Sequence, residues 1–280
     1  MAQIHESVES AQKQKPQNDQ EIAVKGSLKK IKNKIIVMSG KGGVGKTSVS
    51  VNLSNALAQK GLKVGLMDVD LHGPDVPRML GLTGMLDINQ NKKLNPKPYS
   101  ENLSVVSVES LTPDRDSAII WRGPIKYSAI MQFISEVEWG NLDFLIIDCP
   151  PGTGDEPLTI AQTISDAKAI IVTTPQEISI ADVRKSISFC KTVNMEIAGL
   201  IENMSGFTCP HCGKIMDIFG SGGGEKTANA SNINFLGKIP FDQNVVECGD
   251  SGTSIIDLHT DSNVVKAFND LTEQILKIAK

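Results

Sequence analysis

The chain has 280 residues, 40% of them hydrophobic, and a formal net charge of −4. That length suits one large α/β domain or two small ones and allows a sizeable core, while the mild acidity argues against nucleic-acid binding as the main task. No run of 18 apolar residues occurs and the N-terminus carries no apolar segment of signal-peptide type, so a soluble, cytoplasmic protein without membrane attachment is expected.

Residues 1–30 are polar, with few large apolar side chains, and read as a flexible tail or a weakly docked helix ahead of a single domain spanning 31–280. Order starts at NKIIVMSG (33–40), a β-branched apolar run ending in glycine, as buried strands do. TSVSVNLSNALAQKG (47–61) then repeats Val49, Leu53, Ala56 and Leu57 at helical spacing, with Gly61 placed as a C-cap. LKVGLMDVD (62–70) is the second strand. GMLDINQNKKLNPKPYS (84–100) lacks periodicity and reads as an irregular insertion or short hairpin. LSVVSVES, DFLIIDC, AKAIIVTTP, IAGLIENM and FLGKIP follow as strands, with helices expected over 124–137, 178–192 and 263–278. Continuous apolar strands alternating with helices predict an α/β fold with a doubly wound, mainly parallel sheet and helices on both faces.

GKGGVGKT (Gly40–Thr47) satisfies G-x-x-x-x-G-K-[ST] between the first strand and the first helix, the context the phosphate-binding P-loop requires. Gly40, Gly42, Gly43 and Gly45 let the backbone around Val44 curl until several N–H groups face one phosphate. The helix start at Lys46, Thr47 and Ser48 adds its positive end. Lys46 reaches the β- and γ-phosphates of ATP, and the Thr47 hydroxyl suits Mg²⁺. Lys41, at the loop entrance, need not touch its own nucleotide.

DVDLHGPD puts Asp68 and Asp70 at the C-terminal end of the second strand, where ligands bind in such sheets. Asp68 points toward the metal environment, and Asp70 is placed to orient attacking water. DFLIIDCPPGTGDE ends a strand at Asp148, the position of a Mg²⁺-coordinating acid. Its glycines and prolines suit a loop that moves with nucleotide state. Asp155 and Glu156 serve equally as loop-solvating or capping residues. The Asn203 amide can read the adenine edge, and IPFD, with Pro240 and Asp242, can pack beside the base.

CPHCG (209–213) is the other candidate site. Its Cys209 and Cys212 are two of five irregularly spaced cysteines, which do not form a secreted disulfide framework. Cys149 and Cys190 read as buried packing, Cys248 stands alone, and a metal site needs more than two ligands. Spacing leaves three readings: a dithiol redox pair, half a zinc knuckle helped by His211 or Cys248, or a half-site completed by a second copy across a two-fold axis. Four thiolates hold either a [4Fe–4S] cluster or zinc.

Taken together, SGKGGVGKTSVSVNL, DVDLHGPDVPRMLGL, WRGP, WGNLDFLIIDCPPGTGDEPLTI, TTPQEISIADVRK and IENMSGFTCPHCGKIMDIFGSGGGE resemble the Mrp/Nbp35 (ApbC-like) family of P-loop ATPases over roughly residues 30–275. These are iron–sulfur cluster carriers within the MinD/ParA/nitrogenase-iron-protein group, marked by a deviant GKGG phosphate loop. The resemblance implies a P-loop NTPase fold, slow ATP hydrolysis and a homodimer in which Lys41 reaches the partner's nucleotide. It also implies switch roles for the loops at Asp70 and Asp148 and adenine contacts near Asn203. Among the readings of CPHCG it selects a [4Fe–4S] cluster bridged by Cys209 and Cys212 of two subunits, received from an upstream donor and passed to apo iron–sulfur proteins. The alternative is a MinD/ParA-like positioning or partitioning ATPase with structural zinc at the dimer interface. Residues 1–35 hold no cysteine, so the N-terminal four-cysteine motif of eukaryotic Nbp35-type members is not expected, and the polar tail is too short for the extra N-terminal domain of many bacterial Mrp proteins. The resemblance is to the minimal archaeal or bacterial form.

Overall fold

The eight-residue strand β1 (Ile31–Met38) runs through the middle of an eight-stranded sheet, in a computed structural model. The structure describes residues 22–71, 73–111, 123–209 and 211–279. Sheet order is β10-β7-β6-β1-β5-β2-β4-β3, built from β2 (Val64–Asp68), β3 (Lys97–Pro98), β4 (Leu103–Ser107), β5 (Leu142–Asp148), β6 (Lys168–Thr173), β7 (Glu196–Glu202) and β10 (Phe235–Lys238). Every pairing is parallel except β3 against β4 at one edge. From β1 the chain winds one way through β2 and β4. It returns to β5 and then proceeds the other way through β6, β7 and β10, so the reversal of strand order falls beside β1. The crevice at the C-terminal ends of the strands lies there.

The unbroken apolar strands are explained by burial on both faces. Ile36 and Met38 of β1, with Leu145 and Ile147 of β5, join one core. It is completed by α1 (22–28), α4 (Gly123–Glu136), α5 (Asp155–Thr163), α6 (Glu177–Thr192) and α7 (Gly223–Ser231). Ile35 and Val37, with Phe144 and Ile146, face the opposite core. It contains α2 (Lys46–Gln59), α3 (Val76–Met79), α8 (Gln243–Asp250), α9 (Ile255–Leu258) and α10 (Asn263–Ile278). Each such side chain stabilises the fold by about 1.5–3 kcal/mol through burial. Polar substitution at any of them therefore strikes one of the two cores.

Helices expected over 178–192 and 263–278 are present, and the one expected over 124–137 is α4. It starts at the third residue of the WRGP stretch (121–124), whose first two residues lie outside the described residues. The 84–100 stretch closes an isolated Ile88–Leu94 bridge and supplies the antiparallel edge strand β3, so it is partly a hairpin. Within the expected tail, residues 22–28 are helical and bury Val24 and Leu28 against the first core; residues 1–21 lie outside the described residues. α10 spends its apolar face, Val264, Val265, Phe268, Leu271 and Ile275, in the second core, which explains its amphipathicity by packing. Among the described residues no helix is long and apolar enough to cross a membrane.

Candidate functional site: a phosphate loop and a dithiol hairpin

The loop Gly40–Thr47 leaves β1 at the sheet's C-terminal edge and opens α2. Gly45, the N-cap, is left-handed at φ 78°, and a Cβ there would collide with Nδ2 of Asn203. A Cβ on Gly40 would strike the backbone of Asp182 in α6. The two ends of the loop are thus squeezed between neighbours: at Gly45 only glycine permits both the dihedral and the approach, and at Gly40 only glycine permits the approach. Gly42 and Gly43 differ, because they form the exposed tip of the loop. A Cβ on Gly42 would meet only Pro151, at an ordinary 3.9 Å, and one on Gly43 would meet nothing within 4 Å. Gly43 is required by its left-handed φ of 78°. At Gly42 neither packing nor dihedral within the chain demands glycine, which leaves close approach of a ligand to the tip as its use.

Beneath the loop sits a dense polar knot. Lys46 Nζ lies 2.8 Å from Asp148 Oδ2 and donates to Thr47 Oγ1 at 3.2 Å. Thr47 Oγ1 donates to Asp148 Oδ2 at 2.9 Å, and Ser50 Oγ to Asp148 Oδ1 at 2.6 Å. Asp68, in register with Asp148 on the adjacent strand, accepts from the Asp70 amide and the Ser107 hydroxyl, both at 3.0 Å. Both carboxylates are fully buried. Burial and the neighbouring Asp148 push the Asp68 pKa well above the carboxylate range. Burial pulls the Lys46 pKa down, but Asp148 outweighs it and the net shift is upward, so the ammonium stays charged. The Asp148 carboxylate with the Thr47 and Ser50 hydroxyls, beside the Lys46 ammonium, forms a hard-oxygen donor set, which fits Mg²⁺.

Asp70 stands two residues beyond Asp68 and accepts from the Gly73 amide at 3.2 Å. Among the described residues the Lys41 ammonium meets no hydrogen-bond or ion-pair partner, although the Lys41 carbonyl accepts from Ser39 Oγ at 2.9 Å. Glu156, a capping candidate from its position, is instead buried in an ion pair with Lys126 at 2.7 Å. Asp155 is exposed in the first turn of α5.

A cavity of about 540 Å³ adjoins the loop, with Gly45 and Ser48 in one part of its wall and Asn203, Pro240 and Asp242 in another. That volume falls within the range of ligand pockets. The fold therefore gathers five separately expected residues around one space. The remaining expected loop residues, Gly40, Lys41, Gly42, Gly43, Val44, Lys46 and Thr47, stand outside the cavity wall. The loop and the cavity are thus adjoining sites that meet at Gly45 and Ser48, and sequence proximity does not distinguish them. Asn203 donates through Nδ2 to the Val44 carbonyl at 2.9 Å, so its amide holds the phosphate loop as well as lining the cavity. Asp242 caps α8 by accepting from the Asn244 amide at 2.9 Å. Arg78, Met79 and Met204 also line the cavity and were not legible in the sequence. The PDVPRM stretch follows a strand-end loop, but nothing in its spacing reveals that α3 folds back to the pocket.

Cys209 and residues 211–213 lie in the turn of a small antiparallel hairpin, β8 (Phe207–Thr208) and β9 (Ile215–Met216). The Cys209 amide donates to the Lys214 carbonyl at 3.0 Å and the Gly213 amide to the Cys209 carbonyl at 2.9 Å, with Gly213 left-handed at φ 70°. Cys212 is exposed and Cys209 half-buried. Hydrogen bonds to the Cys209 sulfur from the His211 and Cys212 amides, then from the Cys212 thiol, hold its pKa below the usual thiol value. The other three cysteines are buried. Desolvation raises all three thiols, Cys190 to about 11, and they are poor ligands. Among the described residues no group of three or more His, Cys, Asp or Glu side chains could hold a metal ion, so His211 and Cys248 do not complete the site.

Comparison with known proteins adds the following. The model of the ParA family, described as NUBPL iron-transfer P-loop NTPase, matches residues 30–276. A Methanocaldococcus jannaschii protein named iron-sulfur cluster carrier protein is 47% identical over 259 residues, 92% of this chain and 89% of that protein. The Kluyveromyces lactis cytosolic Fe-S cluster assembly factor CFD1 is 47% identical over 261 residues, covering 89% of this chain and 92% of that one. Among solved structures, a nucleotide-binding protein from Archaeoglobus fulgidus in complex with ADP superposes with a TM-score of 0.76 at 35% identity, over 89% of this chain and 96% of that one. The cell division ATPase MinD of Pyrococcus furiosus, at 24% identity and a TM-score of 0.63 over 88% of this chain and 99% of that one, shares the fold.

Proposed function

Because the chain belongs to the ParA family of NUBPL-type iron-transfer P-loop NTPases, we propose that it is an ATP-binding, slowly hydrolysing carrier of [4Fe–4S] clusters. In this reading it works as a homodimer in the cytoplasm, loaded by an upstream donor and discharging to apo iron–sulfur proteins. One observation carries the cargo assignment: two accessible thiols, one with a lowered pKa, sit on a surface hairpin with no further ligand from the described residues. A second copy across a two-fold axis supplies the missing pair. Ile215, Met216 and Ile218 beside the thiols are exposed at 70%, 40% and 56%, an apolar surround that a partner subunit would cover.

For the ATPase, Lys46 exchanges its Asp148 contact for the nucleotide's β- and γ-phosphates, and the loop amides from Gly42 and Gly43 onward hold the phosphate chain. Bound Mg²⁺ neutralises charge on the phosphate oxygens. Thr47 and Asp148, already in contact, would hold it, with Asp68 behind them. Asp70 orients water toward the γ-phosphate, Lys41 reaches the partner's nucleotide, and Asn203, Pro240 and Asp242 border the base.

Anaerobic reconstitution followed by iron and sulfide analysis, Mössbauer spectroscopy and mass measurement tests the assignment. Four irons and four sulfides per dimer are expected, with loss of the visible absorption band as an apo-protein acquires the cluster. One zinc per dimer without sulfide after anaerobic purification would support a positioning ATPase with structural zinc instead.

A further inference from the structure

We propose that Glu202 is a positioning residue that transmits nucleotide occupancy at the phosphate loop to the CPHCG hairpin. The inference rests on the reading of that hairpin as the cargo site.

Glu202 and Asn203 are consecutive at the end of β7, and consecutive strand residues point to opposite faces of a sheet. Asn203 turns toward the nucleotide cavity and grips the Val44 carbonyl of the phosphate loop. Glu202 turns the other way, and its fully buried carboxylate accepts three hydrogen bonds. Ser205 Oγ donates to Oε1 at 2.6 Å, the Gly222 amide to Oε1 at 2.9 Å and the Gly224 amide to Oε2 at 2.5 Å. The donors bracket the hairpin: Ser205 stands where the chain enters it, and Gly222 and Gly224 where the chain returns into α7. One carboxylate therefore closes the base of the loop that carries Cys209 and Cys212.

The glycine run SGGGE is fitted to this closure. Gly222 is left-handed at φ 80°. A Cβ on Gly223 would lie 2.6 Å from the Pro175 carbonyl, and one on Gly224 would lie 2.9 Å from Leu200 and 3.0 Å from Glu202 Oε2. Side chains there would push the start of α7 off the carboxylate. Met204, between Glu202 and Ser205, is left-handed at φ 57°, a conformation uncommon for a residue with a side chain. The hairpin base is also tied to the last strand's exit: the Ser205 amide donates to the Ile239 carbonyl and the Phe241 amide to the Gly206 carbonyl. Ile239 and Phe241 line the nucleotide cavity too. A shift of the phosphate loop or the base pocket thus moves Asn203 and the 239–241 segment, and Glu202 passes that movement to both legs of the hairpin together.

The test uses the metal-free full chain and a maleimide probe. Cys209 and Cys212 are the accessible thiols, so their labelling rate, mapped by peptide mass, reports on the hairpin. In the wild type, saturating Mg-ADP or a non-hydrolysable ATP analogue should change that rate by about fivefold, the lower end of ordinary site-to-site coupling. Glu202→Gln sets an amide N–H₂ against donors. It should keep nucleotide affinity by calorimetry, while the plus-to-minus-nucleotide ratio falls to about one, as expected for lost coupling. A merely structural glutamate would change labelling equally with and without nucleotide and leave the ratio intact. Ser205→Ala removes one donor without touching the fold's core and should lower the ratio by at least about twofold, which decides the matter if Glu202→Gln does not fold. A wild-type ratio preserved in the folded variants, or no nucleotide effect in the wild type, overturns the proposal. Iron and sulfide play no part in the readout, so failure of the carrier reading shows up separately, in cluster content.

Discussion

The phosphate loop and the dithiol hairpin lie at the same edge of the sheet and are built on opposite principles. Around Lys46 every partner is present in one chain: Asp148 engages an ammonium and two hydroxyls, and Asp68 leans on Ser107 and a backbone amide. Around Cys209 and Cys212 there are backbone donors for a thiolate but no third ligand among the described residues. A site that must bind and turn over a nucleotide gains from preorganisation, because fixed dipoles cost no reorganisation during the reaction. Under the proposed carrier function, the thiol site gains from being incomplete, because opening a dimer interface would remove half of its ligands. The two regions are held apart in design and, through Glu202 and Asn203, close together in structure.

The largest expected effect strikes the preorganised region alone. Lys46→Ala should lower ATP hydrolysis by about 10³-fold, as loss of a charge-stabilising donor does, while a reconstituted dimer keeps its full iron and sulfide content. Joint loss in this variant would break the division between the sites. The reciprocal variants, Cys209→Ala and Cys212→Ala, should each abolish stable cluster binding and leave basal ATP turnover within about twofold of wild type, since neither thiol touches the nucleotide. Turnover falling with the cluster would show that cargo and hydrolysis share a step.

Smaller effects sharpen the contrast. Asp70→Ala should slow hydrolysis by about 10²-fold, the scale of acid–base or water-positioning roles, with nucleotide affinity by calorimetry unchanged. Lys41→Ala should slow it by about tenfold or more, yet only under conditions where the protein dimerises. An equal effect on monomer and dimer would place Lys41 on its own nucleotide. The mildest change is Cys248→Ala, which removes one buried sulfur from the second core. It should cost about 1 kcal/mol in chemical denaturation, as small core truncations do, with cluster content and turnover intact.

Much of this was legible from local pattern. GKGGVGKT announces itself because phosphate binding by backbone amides demands glycines at fixed offsets ahead of a helix. DFLIIDC announces Asp148 because a carboxylate directly after the buried apolar run Phe144–Ile147 marks the strand's C-terminal end. The CPHCG turn is visible because Cys-x₂-Cys, two thiols with two residues between them, is the spacing of metal knuckles. Less was legible where residues of one type have different uses. Gly40 and Gly45 are glycine because neighbours crowd them, whereas Gly42 and Gly43 stand open at the loop tip. The amide of Asn203 holds Val44 while facing the pocket, Asp242 caps α8, and Glu156 pairs with Lys126 in the interior. Residue type and position alone do not separate such roles, because each depends on which segment packs alongside.

The sequence by itself determined the fold class, the phosphate loop and the thiol pair, since these follow from hydrophobic period and from short motifs whose chemistry is contained in a few consecutive residues. Only the tertiary structure decided that Asp68 and Asp148 face each other in register, that α3 and the 239–246 segment close a cavity onto Gly45, and that SGGGE returns to the carboxylate of Glu202. These contacts join residues between 20 and more than 200 positions apart. They are set by strand order and by the packing of two cores, which no local window of the chain encodes.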